Sequence, residues 1–319
     1  MAEVTEAEAG KETWERGVLE KLARAALEEQ KRARHWSIFF KLLVMVYLFI
    51  ALFMAVGWIG GKDRVSVGPH SALVELTGVI AKDEPASAER MIKGLQDAFK
   101  DKNTRGVILK INSPGGSPVQ AGYINDEIRR LRNEYPQIPI YAVVEDMCAS
   151  GGYYAAVATD QIYVDKASVI GSIGVLIDSF GFTGTMNKMG VDRRLITAGE
   201  NKGFLDPFSP LEPEHQEHAR KMLKEVHRQF VDVVRAGRGA RLKENPELFS
   251  GLIWSGEKSI ELGLADATGS ADYVAREIIK AEDIVDFTPD ENFAERLAKR
   301  FGAGAASALV GFLTTPQLR

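Results

Sequence analysis

In the run Asp146-Met147-Cys148-Ala149-Ser150-Gly151-Gly152-Tyr153-Tyr154-Ala155-Ala156, a serine stands where a strand-like stretch (138–144) gives way to a helix-like one (153–158). A strand-to-helix turn of this kind lifts a hydroxyl out of a sheet and presents it as a nucleophile. The backbone N–H groups at the new helix start can then stabilise an oxyanion. A second glycine turn, Asn112-Ser113-Pro114-Gly115-Gly116-Ser117, lies one βα unit earlier. It offers a second set of donors.

A serine nucleophile needs a base. The chain has five histidines, and none is well placed. His35 precedes an apolar run, His70 falls in a linker, and His215, His218 and His227 fall on the polar side of a long helix. His215 and His218 have the i, i+3 spacing of a metal pair, but also that of a solvated helix face. No HExxH, CxxC or GxxxxGK[ST] pattern occurs, which argues against the familiar zinc, redox and nucleotide chemistries. No metal or cofactor is expected. The other candidate base is a lysine, which acts only when burial lowers its pKa from ~10.4 towards 7–8. Lys202 is the best placed, beside Gly203, Phe204, Leu205 and Phe208. Glu200 and Asp206 count against it, since a carboxylate aimed at the ammonium would spoil the base. A surface lysine in a loop remains the alternative. Cys148, the single cysteine, is either a reactive thiol or a packed small side chain.

These residues need a scaffold, and the pattern supplies one. Strands are expected at 72–79, 106–111, 138–144, 161–164 and 191–197. Helices are expected at 87–100, 118–132, 150–158 and 214–234. Ser87 is a possible N-cap, and Pro213 sits at a first-turn position. Met91, Leu95 and Phe99 define one apolar helix face; Ala219, Met222, Leu223, Val226, Phe230 and Val233 define another. Strand–helix alternation implies an α/β fold with a largely parallel sheet and ligands at the carboxyl ends of the strands, where both glycine turns fall.

The chain has 319 residues, 45% of them apolar, and a net charge of −4. That allows one large domain or two smaller ones, and it carries no basic stripe for nucleic acid. From Leu42 to Ile59 no charge occurs, and at ~1.5 Å per residue this run spans about 27 Å, the depth of a bilayer core. A transmembrane helix at 36–60 is expected in preference to a cleaved signal peptide, with Trp36 and Trp58 near its two interfaces. Lys21, Arg24, Lys31, Arg32, Arg34 and Lys41 crowd the N-terminal side, against Lys62 and Arg64 beyond. The positive-inside rule therefore puts the N-terminus in the cytoplasm and the large C-terminal part across the membrane, in the periplasm of a Gram-negative cell. The expected plan is a cytoplasmic arm (1–35), the span (36–60), a linker (61–70), a catalytic domain (71–285) and a tail (286–319).

From 72 to about 279 the chain closely resembles the signal peptide peptidase A family of membrane-anchored Ser/Lys peptidases. The matching segments are Ile111-Asn112-Ser113-Pro114-Gly115-Gly116-Ser117, Ala149-Ser150-Gly151-Gly152-Tyr153-Tyr154, Ile170-Gly171-Ser172-Ile173-Gly174-Val175, Gly199-Glu200-Asn201-Lys202 followed by Pro207 and Pro210, and Gly263-Leu264-Ala265-Asp266. The resemblance implies the spiral α/β fold shared with Clp protease and the crotonases, preceded by one transmembrane helix. It implies that Ser150 is the nucleophile, Lys202 the general base and Ser172 the residue that orients the lysine. Gly116 and Gly151 would donate to the oxyanion, with Gly115 shaping the turn, and Cys148 has no catalytic role. It further implies a homo-oligomeric ring of the short, one-repeat form, acting on apolar peptides such as cleaved signal peptides.

Three other readings compete. A related peptidase would process membrane or stomatin-like partners. A crotonase-type acyl-CoA enzyme would use the same glycine donors but needs acid/base carboxylates and no Ser150. A non-catalytic membrane scaffold would need neither.

Overall fold

A computed structural model describes residues 2–55 and 68–289. The chain divides into two units, Met1–Asp63 with Asn292–Arg319, and Arg64–Glu291. Trp58, most of the expected linker and nearly all of the expected tail lie outside the described residues.

In the first unit, Ala2–Ala55 is one unbroken helix, α1. Its segment Leu27–Leu52 is long and apolar enough to cross a membrane. That segment begins nine residues before the expected start at Trp36, because the helix runs on through the basic stretch without a break.

The second unit is a sheet with helices. In chain order it holds β1 (His70–Thr77), α2 (Ala88–Lys100), β2 (Thr104–Ser113), α3 (Pro118–Glu134), β3 (Ile140–Ala149), α4 (Gly151–Ala156), β4 (Gln161–Val164), β5 (Val169–Gly171), α5 (Thr183–Met189), α6 (Pro213–Arg238), β6 (Ile253–Ser255), α7 (Gly256–Glu261), β7 (Ala267–Thr268) and β8 (Ile284–Asp286). The sheet order is β6-β5-β3-β2-β1-β8, with β4 pairing to β3 and β7 to β4. Every pairing is parallel except β5–β6. This is the expected largely parallel α/β arrangement. The central strands read as near-continuous apolar runs because helices and loops cover both faces. Leu76, Ile111, Ile124, Ile128 and Tyr153 lie in one cluster; Ile108, Val143 and Tyr163 pack beneath Val274 and Ala275 on the other face.

One irregularity positions the chemistry. The β2–β3 register shifts between Ile111 and Ser113. Before the shift β3 pairs with β4 through Tyr141, Ala142 and Val143. After it β3 pairs with β5 instead, through Met147, Cys148 and Ala149. The bend re-aims the end of β3 and brings a new neighbour alongside it.

Three expectations need correction. Residues 191–197 form no strand; they are exposed and irregular, and the regular element of this region is α5. Among the described residues Val191, Leu195 and Ile196 have no strand to pair with, so their spacing has nothing to act on. Ser87 occupies the N-cap of α2 but makes no side-chain cap bond; instead Gln120 Oε1 accepts from the Ala88 N–H at 2.9 Å. The apolar stripe of α6 is buried only in part: Ala219 and Phe230 are covered, while Met222 is 40% exposed.

A buried ion pair ties the C-terminal part to the sheet. Arg238, 2% exposed, meets Asp266 with both terminal nitrogens at 2.8 and 2.9 Å. Its Nε donates to Gly263 O at 2.7 Å, and Asp266 also accepts from the Ile162 N–H at 2.7 Å. Tyr153 OH donates to Leu264 O at 2.8 Å. The Gly263–Asp266 motif is thus a set of anchor points for α6 and α4. Burial alone would raise the Asp266 pKa; hydrogen bonds and charge from Arg238, with help from Arg241, hold it below the usual aspartate value.

Candidate active site

Ser150 follows the last residue of β3 and precedes α4. Its φ is 51° and its ψ −120°, a region that non-glycine residues enter only when their surroundings force it. Its N–H donates to Gly171 O at 2.9 Å, and its carbonyl accepts from Tyr154 N at 2.9 Å. The side chain makes no cap bond to α4, so the hydroxyl is not spent on helix capping. Asn125 Nδ2, on the buried face of α3, donates to Tyr154 O at 2.6 Å and holds the first turn of α4 in place.

The 112–117 turn packs directly against this elbow. Gly115 has φ +94° and Gly116 φ +151°. A Cβ on Gly115 would lie 2.5 Å from Gly151 N, and one on Gly116 would lie 2.2 Å from Ile80 O. Neither position tolerates a side chain, for conformation and space together. The Gly115 N–H donates to Ser113 Oγ at 3.1 Å, and that hydroxyl donates to Gly78 O at 2.7 Å. Gly151 occupies the first helical position of α4, where an N–H has no intrahelical acceptor.

The third component comes from β5. Ala149 pairs with Gly171, so the next residue of each chain segment, Ser150 and Ser172, leaves its strand side by side. Parallel neighbours are about 4.8 Å apart. Ser172 also has a positive φ, 52°, and its N–H donates to Leu252 O at 2.8 Å. Ser150, Ser172, Gly116 and Gly151 all line one cleft of about 530 Å³. Its apolar wall includes Ala121, Tyr154, Val226 and Phe230, with the Tyr154 and Phe230 rings 5.1 Å apart. The sequence reading missed Gln229, Ser250 and Gly251, which also line it; only the three-dimensional approach of 250–251 to the β5 turn brings those two in.

Lys202 is not among the residues that line this cleft. It is exposed, in a turn closed by its own N–H donating to Gly199 O at 3.1 Å. Of the two carboxylates that count against it, Asp206 is engaged elsewhere: it accepts from Ser209 Oγ at 2.7 Å and from Arg193 at 3.2 Å. Among the described residues Lys202 makes no ion pair. Its loop is held to the start of α6, where Phe204 lies 5.3 Å from the His215 ring and 5.5 Å from the His218 ring. Those two histidines therefore pack on an aromatic ring. Among the described residues no cluster of three or more metal-ligating side chains exists. Cys148 is fully buried between Ser113 and Ile170, and burial pushes its thiol pKa up; it is a packed side chain.

A strained serine at a strand-to-helix elbow, flanked by a glycine turn and opening onto an apolar cleft, defines a serine-hydrolase type of site on an α/β sheet. The comparisons agree. The model of peptidase family S49 matches residues 133–285. A Methanocaldococcus jannaschii protein, named provisionally as a protease, is 30% identical over 218 residues, 67% of this chain and 69% of its own length. An Enterococcus faecium protein, named provisionally as signal peptide peptidase SppA, is 29% identical over 64% of this chain and 59% of its own length. A Brucella melitensis protein named Na(+)/H(+) antiporter NhaA is 47% identical over 175 residues; the match covers 55% of this chain and only 24% of that protein. The chain belongs to peptidase family S49.

Proposed function

We propose that this chain is a membrane-anchored serine endopeptidase with a Ser/Lys dyad that degrades apolar peptides, cleaved signal peptides among them. The observation that carries the reading is the pairing of Ala149 with Gly171, which sets Ser150 and Ser172 side by side at the cleft, both in strained backbone. Ser150 Oγ attacks the peptide carbonyl as Lys202 takes its proton, with Ser172 orienting the lysine. The Gly116 and Gly151 N–H groups stabilise the oxyanion, and Gly115 keeps their turn tight. Protonated Lys202 then assists the leaving amine, and water resolves the acyl-enzyme. The apolar cleft wall suits extended substrates with small residues at the cleaved position.

Lys202 has to reach a cleft that its loop does not line. The exposed arm that carries it, residues 177–206, presents the apolar side chains Phe180, Met189 and Ile196 to solvent, surface that an interface would cover. Assembly into a homo-oligomeric ring covers that arm and brings Lys202 to a Ser150 cleft, its own or a neighbour's. The Leu27–Leu52 helix anchors the chain in the bilayer, with the N-terminus cytoplasmic and the 71–285 peptidase domain periplasmic.

The acyl-CoA alternative needs carboxylates at the donors, and among the described residues no Asp or Glu lines this cleft. The deciding experiment measures cleavage of a fluorogenic signal-peptide-like substrate by wild type, Ser150→Ala, Lys202→Ala and Ser172→Ala. Loss in the first two, with the chain folded, supports the dyad; activity that survives both refutes it. Mixing Ser150→Ala with Lys202→Ala chains then tells whose lysine serves whose serine. Recovered activity means a neighbour's.

A further inference from the structure

The turn that carries Ser172 is backbone that its surroundings must hold in place, because Gly171 (φ +116°) and Ser172 (φ +52°) are successive positive-φ residues. Three backbone bonds do part of the holding. Gly171 O accepts from the Ser150 N–H at 2.9 Å, the Ser172 N–H donates to Leu252 O at 2.8 Å, and the Gly174 N–H donates to Ser172 O at 2.8 Å. These tie the turn to the nucleophile elbow, to the start of β6 and to itself. None of them reaches α6, which supplies Val226, Gln229 and Phe230 to the cleft.

His227 supplies that link. Its Nε2 lies 3.2 Å from Ile173 O. A carbonyl only accepts, so Nε2 carries the proton and donates. The Ile173 side chain is fully buried, so the residue that carries this carbonyl is anchored in the core. His227 itself is half-buried and lines a small recess of about 200 Å³ with Gly174, Val175 and Leu223. The sequence reading gave it to the polar side of α6; it faces the Ser172 turn.

We infer that His227 is a positioning residue: its hydrogen bond to Ile173 O fixes the Ser172 turn against α6 and so holds Ser172 in place beside Ser150. This rests on the reading of Ser172 as part of the active site. His227 touches neither the substrate carbonyl nor Ser150 in this role. It acts through the backbone of the residue after Ser172.

The test uses the full-length chain with two substitutions. His227→Leu removes the donor; His227→Gln places an amide N–H at a similar reach. His227→Leu is expected to lower kcat for peptide cleavage about tenfold with KM changed by less than about twofold, as loss of one ordering hydrogen bond predicts. Amide hydrogen exchange at 171–175 is expected to quicken by about tenfold. His227→Gln should return both to within about threefold of wild type, since it restores the donor without the ring. Unchanged exchange in His227→Leu, no recovery in His227→Gln, or faster exchange with kcat untouched would each overturn the inference. The exchange arm needs no turnover. If wild type cleaves nothing while exchange follows the expected pattern, the peptidase reading fails and the role of His227 in holding the turn stands.

Discussion

The two halves of the proposed dyad sit in contrasting parts of the molecule. Ser150 stands at the centre of the sheet, where its elbow is pinned by β5, by the 112–117 turn and by Asn125. Lys202 stands on an exposed arm whose contacts are mostly with itself and the start of α6. The nucleophile side is over-determined by this chain's own packing. The proposed base side is not, and in the proposed ring its geometry relative to Ser150 would be set by assembly. Substitutions should divide along the same line: changes near Ser150 act through fold or chemistry, and changes on the arm act through chemistry or assembly without touching the fold.

The largest effect is expected from Ser150→Ala, which removes the proposed nucleophile and should lower kcat/KM on the order of 10⁴-fold or more. Lys202→Ala should cost a similar factor. The contrast lies in stability: an exposed side chain without an ion pair is worth within about 0.5 kcal/mol, so thermal unfolding of Lys202→Ala should superimpose on wild type. A large drop in melting temperature for Lys202→Ala would mean the arm is part of the core after all, and the contrast would fail.

Arg238→Leu tests the opposite corner. It leaves Asp266 buried beside Ile162 without its main partner, and breaking a buried pair costs about 3–5 kcal/mol. Denaturant titration should show the loss, with activity per folded molecule little changed. Acid gives the same interaction a second readout. The folded-state pKa of Asp266 lies below its ordinary value of 3.8, so the carboxylate adds stability that is fully present above that pH. That stability is lost as pH falls through the lower, folded-state value. Wild type should therefore lose stability below about pH 4 more steeply than Asp266→Asn, which has no such proton to take up. Parallel slopes would show that Asp266 contributes nothing specific in acid.

The sequence was informative wherever a long period or a glycine turn carried the structure. α2, α3, β2 and β3 fall where apolar spacing puts them, and the two glycine turns fall at strand ends as a parallel sheet requires. The β5–β6 pair was not legible, because strands of three residues have no period to detect. Nor was the register shift at Ser113, which gives β3 a second neighbour and so brings Ser172 beside Ser150. Residues 191–197 misled for a related reason: their spacing suits a strand, but among the described residues no strand pairs with them. His227 shows the same limit on a helix. Its position on the wheel marks it as polar-side, and only the approach of the β5 turn makes that side inward-facing. Lys202 could be singled out by its neighbours in sequence, yet no spacing says which cleft a side chain on an exposed arm serves.

The smallest effect on the fold, and the sharpest on the contrast, is expected from Ile196→Ser. Ile196 is 94% exposed, so the substitution should move the stability of the isolated chain by less than about 0.5 kcal/mol. In a ring that covers the arm, the same change removes an apolar contact from every interface at once. Sedimentation in detergent should then shift towards smaller species, and cleavage should fall in proportion to the assembled fraction. Activity that stays with a fully dissociated Ile196→Ser chain would show that Lys202 reaches the Ser150 of its own chain. The arm would then be a hinged part of one active site, and its apolar surface would call for another occupant.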